Sequence, residues 1–169
     1  CADIVLCAFH DIYLRQYVVL CVVLFRPPAL GFWLASANSS SPGTIYVKSG
    51  ILYPYKNDKE LSLPNVDVLI DGTGASYRIP SDGSKKATFK SITAMNGGSI
   101  EERENRTYLK ELTLLDGSLV PSYVKWIYVA NTVVVSNETT DITIYPPIEG
   151  NSTYSKLLKY GAGTLYIKN

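Results

Sequence analysis

The side chains able to do covalent or metal chemistry are unevenly placed along this sequence. Three cysteines, Cys1, Cys7 and Cys21, and the single histidine, His10, all lie in the first 21 residues of a 169-residue chain. From Ser39 onward neither type occurs. A zinc, haem or iron–sulfur centre built on imidazole or thiolate is therefore excluded from that body, as are Ser-His-Asp and Cys-His catalysis. Disulfides are excluded there too, so packing alone must hold the body together. Carboxylates are what is left. Glu101-Glu102-Arg103-Glu104 concentrates three of them, but a glycosidase sets two carboxylates across a substrate, and calcium wants about six converging oxygens. Consecutive residues alternate in direction and do not converge, so this segment is expected to be a solvated loop between strands.

The other candidate is Leu69-Ile70-Asp71-Gly72-Thr73-Gly74-Ala75-Ser76, which resembles the Asp-Thr-Gly-Ala-Ser loop of retroviral-type aspartic proteases. That loop pairs two carboxylates around one proton and needs Thr and Gly directly after the Asp. Here Gly72 intervenes and moves Thr73 and Gly74 out of register. Asp71-Gly72 followed by Thr73-Gly74 reads instead as a turn between two strands. No catalytic, cofactor-binding or metal-binding residue is assigned, and no enzyme activity or cofactor is expected.

Which elements carry these residues follows from composition and alternation. Thirteen tyrosines stand against four phenylalanines, and Val, Ile, Thr and Ser are plentiful, a mix suited to pleated, half-buried surfaces. With 16 basic and 15 acidic residues and no basic run, a nucleic-acid partner is not expected. One all-β domain is predicted over residues 38–169. After the Asn38–Gly43 linker, strands are read at Thr44–Lys48, Val66–Ile70, Ala75–Ile79, Ala87–Thr93, Leu112–Leu115, Trp126–Val129, Thr132–Val135, Asp141–Tyr145 and Gly163–Lys168. Ile51–Leu63 has no clear reading, because Pro54 demotes a strand and Lys56–Glu60 is a polar loop. Asn96-Gly97-Gly98-Ser99-Ile100 and Asp116-Gly117-Ser118-Leu119 are near-copies, an Asx-Gly corner between apolar strands. Gly98 and Gly117 lie 19 residues apart, close to one coil of a β-solenoid, whereas Ile127 and Ile142 lie 15 apart, a loose period.

The first 37 residues read differently. The chain begins at Cys1 without an initiator Met, as a piece of a longer protein would. The apolar run Tyr17–Phe25 is too short to span a bilayer as a helix, which takes about 20 residues. It has the length of a signal-peptide core, and Ala35-Ser36-Ala37 has the form of a cleavage site. Arg26-Pro27-Pro28 interrupts the apolar region, so three readings stay open: an export signal, a buried or membrane-associated helix, and leader sequence of no consequence to the body.

Leu112–Leu119, Trp126–Val135 and, above all, Leu158-Lys159-Tyr160-Gly161-Ala162-Gly163-Thr164-Leu165-Tyr166-Ile167 resemble the passenger-associated repeats of bacterial autotransporters. Tyr160 stands where that repeat often has Thr, and Ile167 where it often has Leu. The resemblance covers roughly Val66 to Asn169. It implies a right-handed parallel β-helix, a secreted or outer-membrane-associated cell-surface location, and a non-enzymatic structural or adhesive role. It further implies a glycan or host-surface ligand, and membrane attachment only through the leader or a translocator absent from this sequence. Self-association through open solenoid ends is expected on physical grounds. The alternative fold is a β-sandwich; the alternative function is a polysaccharide-binding module or a polysaccharide-cleaving β-helix enzyme. Eleven tyrosines follow residue 38; turned outward they could stack on sugar rings, and turned inward they simply fill the column. Asn38, Asn105, Asn137 and Asn151 each open an Asn-x-Ser/Thr acceptor pattern.

Overall fold

Alternating apolar and polar residues become alternating burial. Leu61–Asp71 and Lys86–Met95 both bury every second residue over most of their length, as the two-residue side-chain period of a strand requires. The computed structural model describes residues 19–23, 31–33, 40, 42–54, 61–79, 86–102, 106–120, 127–144, 148–150 and 156–167. In chain order its strands are β1 (Val19–Val23), β2 (Gly31–Trp33), β3 (Gly43–Val47), β4 (Gly50–Tyr53), β5 (Leu61–Asp71), β6 (Ala75–Ile79), β7 (Lys86–Met95), β8 (Ser99–Glu102), β9 (Arg106–Leu115), β10 (Ile127–Ser136), β11 (Ile142–Ile144), β12 (Ile148–Gly150), β13 (Lys156–Tyr160) and β14 (Leu165–Ile167).

Every pairing among these strands is parallel. One sheet runs β1-β3-β5-β7-β9-β10-β12, with β13 also on β10; a second runs β2-β4-β6-β8, and β11 pairs β14. Up to β9, odd strands stack on odd strands and even on even because each coil crosses from one sheet to the other and returns; from β10 onward the alternation shifts. The fold is a β-solenoid of stacked parallel coils. A β-sandwich, built from antiparallel strands, is excluded.

Stacking puts like positions over one another. Ile45, Val68, Ile92, Leu112, Val133 and Leu157 form one continuous row across six strands. Leu63, Phe89 and Leu109 form a second, which runs on to Val129. Leu52, Tyr77 and Ile100 oppose them from the second sheet. All of these but Leu157 are buried. Tyr77 is fully enclosed; it meets Phe89 edge-on with ring centroids 5.9 Å apart, and its hydroxyl lies 3.1 Å from that of Thr107. That bond satisfies two polar groups in an otherwise apolar interior.

The long strands bend. The β5–β7 register shifts between Leu63 and Asp67, and the β10–β9 register between Val129 and Thr132. An extra residue on one side of a ladder bends and twists the strand there. Beyond β10 the bend becomes a split: its first three paired residues receive β12 and its last five receive β13.

Several expectations change at this point. Val66–Ile70 is the second half of one strand that begins at Leu61, and Ile127–Val129 and Thr132–Val135 belong to a single strand, β10, while Trp126 lies outside the described residues. The unassigned stretch holds most of β4, which stops at Tyr53, before Pro54 whose ring removes a ladder donor, and the first residues of β5. Ile127 and Ile142 are not equivalent positions of successive coils: Ile127 pairs Thr107 and Ile148, while Ile142 pairs Leu165. Ala87 pairs Leu61 and Thr107, so the coil step varies between 26 and 20 residues at one position. Within the expected leader, β1 and β2 pair with β3 and β4; its remaining residues, including Ala35–Ala37, lie outside the described ones.

The row model separates inward from outward positions on a single strand. Ile92→Ala should cost about 2–5 kcal/mol, whereas Thr93→Ala, next along β7 and turned outward, should stay within about 0.5 kcal/mol. Urea midpoints of the two variants provide the comparison.

Candidate functional surface

Each long strand ends in a polar corner. Asp71, Asn96, Asp116 and Asn137 stand at the ends of β5, β7, β9 and β10, and Tyr160-Gly161 ends β13. Main-chain bonds connect one corner to the next: Gly72 N–H to the Met95 carbonyl at 3.1 Å, Asn96 N–H to that of Asp116 at 2.9 Å, and Asn137 N–H to that of Tyr160 at 3.2 Å. The Asx-Gly match is therefore a structural repeat, with Gly97 lying against Gly117. A Cβ on Gly117 would stand 3.1 Å from the Gly97 nitrogen.

The carboxylates of these corners bind neighbouring coils. Asp71 accepts a bond from the Tyr46 hydroxyl of the preceding coil and one from Asn96 Nδ2 of the following coil at 2.7 Å. The Tyr46 hydroxyl first, then Asn96, holds the Asp71 carboxyl below the usual range, and the same bond raises Tyr46. This is the turn reading of Asp71-Gly72-Thr73-Gly74: the carboxylate joins coils and pairs with no second carboxylate among its described partners.

Asp116 is more fully held. Its oxygens accept the N–H groups of Glu138 at 3.0 Å and of Thr139 and Thr140 at 3.1 Å. The Thr140 hydroxyl donates to Asp116 at 3.0 Å while accepting the Gly117 N–H at 2.8 Å. Successive N–H groups make a concave nest, here filled by the protein's own carboxylate. The Glu138 N–H is the leading cause that lowers the Asp116 pKa. Farther along, Glu138 and Asp141 accept the N–H groups of Ala162 and Thr164.

The acidic run at Glu101 is not a loop throughout. Glu101 and Glu102 belong to β8; Arg103 and Glu104 lie outside the described residues. Glu101 faces Arg78 across the β6–β8 ladder and accepts its Nε–H at 2.6 Å, with Ser99 Oγ donating to the same carboxylate at 3.3 Å. Burial works against the Arg78 charge, but Glu101, with Tyr53, holds its pKa above the usual value. A second ion pair, Lys90 with Asp67 at 2.9 Å, crosses from β7 to β5 and raises the lysine pKa.

Tyrosines divide between the two expected uses. Tyr77 fills the core. Tyr108 and Tyr128, opposite each other on β9 and β10, stack with centroids 4.9 Å apart and planes 9° from parallel. The Lys86 ammonium lies 6.0 Å from the Tyr108 ring, and that of Lys48 lies 5.0 Å from Tyr46. Each ring of the stacked pair gives one face to the other. Tyr160 and Tyr166 are exposed, whereas Tyr55, Tyr123, Tyr145 and Tyr154 lie outside the described residues.

Of the four acceptor asparagines, Asn38, Asn105 and Asn151 also lie outside them. Asn137 is fully buried, and its Nδ2 donates to the carbonyls of Thr140 and Thr164, the latter at 3.0 Å. That amide nitrogen is occupied, so the folded corner cannot present Asn137 for glycosylation. Its Oδ1 has no partner among the described residues.

Gly161 and Gly163 sit over this same corner. A Cβ on Gly161 would come 2.3 Å from the Asn137 carbonyl oxygen, and one on Gly163 would come 2.5 Å from that of Thr140. Gly161 also has φ +81°; Gly163 is needed for room alone. Sequence reasoning missed Asn137, Thr140 and Asp141, since Asn137-Glu138 carries no Asx-Gly signature. The available signal was positional, an Asx residue ending each long strand. No protein-family model, curated protein or solved structure matches the chain.

A carboxylate with a lowered folded pKa contributes stability above its unfolded value of about 3.9 and loses it as pH falls through the folded value. Asp116→Ala should therefore lower the thermal midpoint at neutral pH and flatten its decline below about pH 4. Thermal melts from pH 7 to pH 2 check this; parallel acid limbs would contradict the nest.

Proposed function

We propose that this chain is a non-enzymatic structural segment of an exported cell-surface protein, similar to the passenger of bacterial autotransporters. It acts as a rigid display surface for adhesion to a glycan or host-surface ligand. The observation supporting the reading is that Asp71, Glu101 and Asp116, the groups most able to do chemistry, are each bonded to a neighbouring coil. Their chemistry is coil-to-coil cohesion. The repeat at Leu158–Ile167, the right-handed sense it implies, the leader over residues 1–37, and the secreted or outer-membrane-associated location belong to the same proposal. Ends of the solenoid supply its second surface, through which copies associate weakly.

The competing reading, a polysaccharide-binding module or polysaccharide-cleaving enzyme, draws on the outward Tyr108–Tyr128 pair. A glycan array combined with a reducing-sugar release assay separates the two. Release of reducing ends means an enzyme and overturns the non-enzymatic reading, retention without release means a binding module, and finding neither supports the structural scaffold. Light scattering tests the ends: mass should rise with concentration, and a strictly monomeric mass at high concentration would contradict association.

A further inference from the structure

The sequence holds a single Asn-Gly pair, Asn96-Gly97, and the fold places it at a joint between coils. Asn96 has φ +53° and Gly97 φ +87°, and the Gly98 N–H donates to the Met95 carbonyl at 2.9 Å, which closes a type I′ turn. Asparagine followed by glycine is chemically labile, because no side chain shields the next main-chain nitrogen from the amide carbon. In this turn the reacting groups are held. The Asn96 Nδ2 donates to Asp71 Oδ1 at 2.7 Å, and the Asn96 main-chain N–H donates to the Asp116 carbonyl at 2.9 Å. Gly97 is packed on both sides: a Cβ added to it would lie 2.6 Å from Thr73 Cγ2, and one added to Gly117 would lie 3.1 Å from the Gly97 nitrogen. Asn96 is nonetheless exposed to water.

We propose that Asn96 is a site of spontaneous deamidation, restrained by coil stacking and, once converted, weakening the joint that restrained it. The Gly97 main-chain nitrogen attacks Cγ of Asn96, forming a C–N bond as the Cγ–Nδ2 bond breaks. The Gly97 proton leaves with Nδ2 as ammonia, and a cyclic succinimide remains. Water then opens the ring at either carbonyl and gives an aspartyl or an isoaspartyl link, with no oxidant or reductant required. Ring closure takes Nδ2 away from Asp71 and draws Gly97 out from between Thr73 and Gly117, so it proceeds from the locally opened corner. Either product is a carboxylate where a donor stood. Beside Asp71 it is a like charge at the former hydrogen-bond distance, and the two repel. The isoaspartyl form also adds a main-chain carbon just before Gly98, which has no room to shift: a Cβ there would come 2.3 Å from the Ile70 carbonyl oxygen. Asn137 differs in each respect: Glu138 follows it, it is buried, and its Nδ2 is bonded to two carbonyls.

This chemistry is independent of what the surface binds. Peptide-mapping mass spectrometry of the full chain, incubated at neutral pH both folded and in urea, is the test. Asn96 should convert in the folded chain, but about tenfold or more slowly than in urea. Asp71→Ala should raise the folded rate by about tenfold, since a bond to a charged acceptor is lost, and Asp71→Asn, which keeps an acceptor, should raise it less. Converted wild type, separated by ion exchange, should melt below the unconverted chain, and Asn96→Asp should reproduce the lower midpoint. Conversion as fast in the folded chain as in urea would overturn the restraint. Absence of conversion in the folded chain after many unfolded half-lives would overturn the site, and an unchanged midpoint after conversion would overturn the weakening. These outcomes are read on wild type, so they decide the matter even where Asp71→Ala does not fold.

Discussion

No coil of this molecule can bury its own apolar side. Even β5, with five buried residues, and β7, with four, lie in a single circuit that has no second layer of its own, and the remaining contact for each residue comes from the same position one coil away. The rows through Ile92 and Phe89 are the result, and they set the limits on sequence. Size is conserved along a row only approximately: Ile70, Ala94 and Leu114 follow one another, so the volume lost at Ala94 must be filled by neighbours. Thr107 introduces a hydroxyl into the row that contains Leu61 and Ala87, and Tyr77 meets it from the opposite sheet. A hydroxyl left unpaired there would cost on the order of 1–3 kcal/mol, which is why tyrosine is in the core at that point and phenylalanine beside it.

The corners follow a second rule, electrostatic instead of volumetric. Along one edge the residues read Asp71, Asn96, Asp116, Asn137, a carboxylate and an amide in alternation. Stacked coils bring equivalent corner residues within hydrogen-bond range, as Asn96 on Asp71 demonstrates. Two carboxylates in direct succession would raise each other's pKa and repel; an amide between them donates to one and adds no charge. Both aspartates instead have lowered pKa values, each caused first by a hydrogen-bond donor from another coil. The corner is thus a ladder of donors and acceptors that reinforces the apolar rows at the point where the chain turns.

Strand chemistry was legible in the sequence because a strand's period is local. Ala75–Ile79 and the turn at Asp71–Gly74 are found where alternation and Gly placed them. The coil step was not legible, because it depends on what the chain does between strands. The Asx-Gly corners at Asn96 and Asp116 carried the right step within one residue, yet Ile127 and Ile142 misled, being consecutive strands of one coil. The bends were also hidden: nothing in Val129-Ala130-Asn131-Thr132 distinguishes a bulge from a break. Asn137 illustrates the opposite failure, a motif with a ready functional meaning whose residue is buried to hold a corner together. Pattern identifies what a residue can do locally, and stacking decides what it does.

That decision bears on function through what stacking leaves over. A polar group used between coils is unavailable to a ligand, and the carboxylates of Asp71, Asp116 and Glu101 are used in this way. The side faces carry the stacked Tyr108–Tyr128 pair and the Arg78–Glu101 and Lys90–Asp67 ion pairs, each of which also joins one coil to the next. At the last described coil the same logic reverses. Leu157 and Ile167, in register with buried Val133 and Ile144, are exposed there, and Lys159 bonds its own corner's carbonyls. The described coils thus present two unlike surfaces: sides whose carboxylates are engaged between coils, and a last described face on which the apolar rows are exposed.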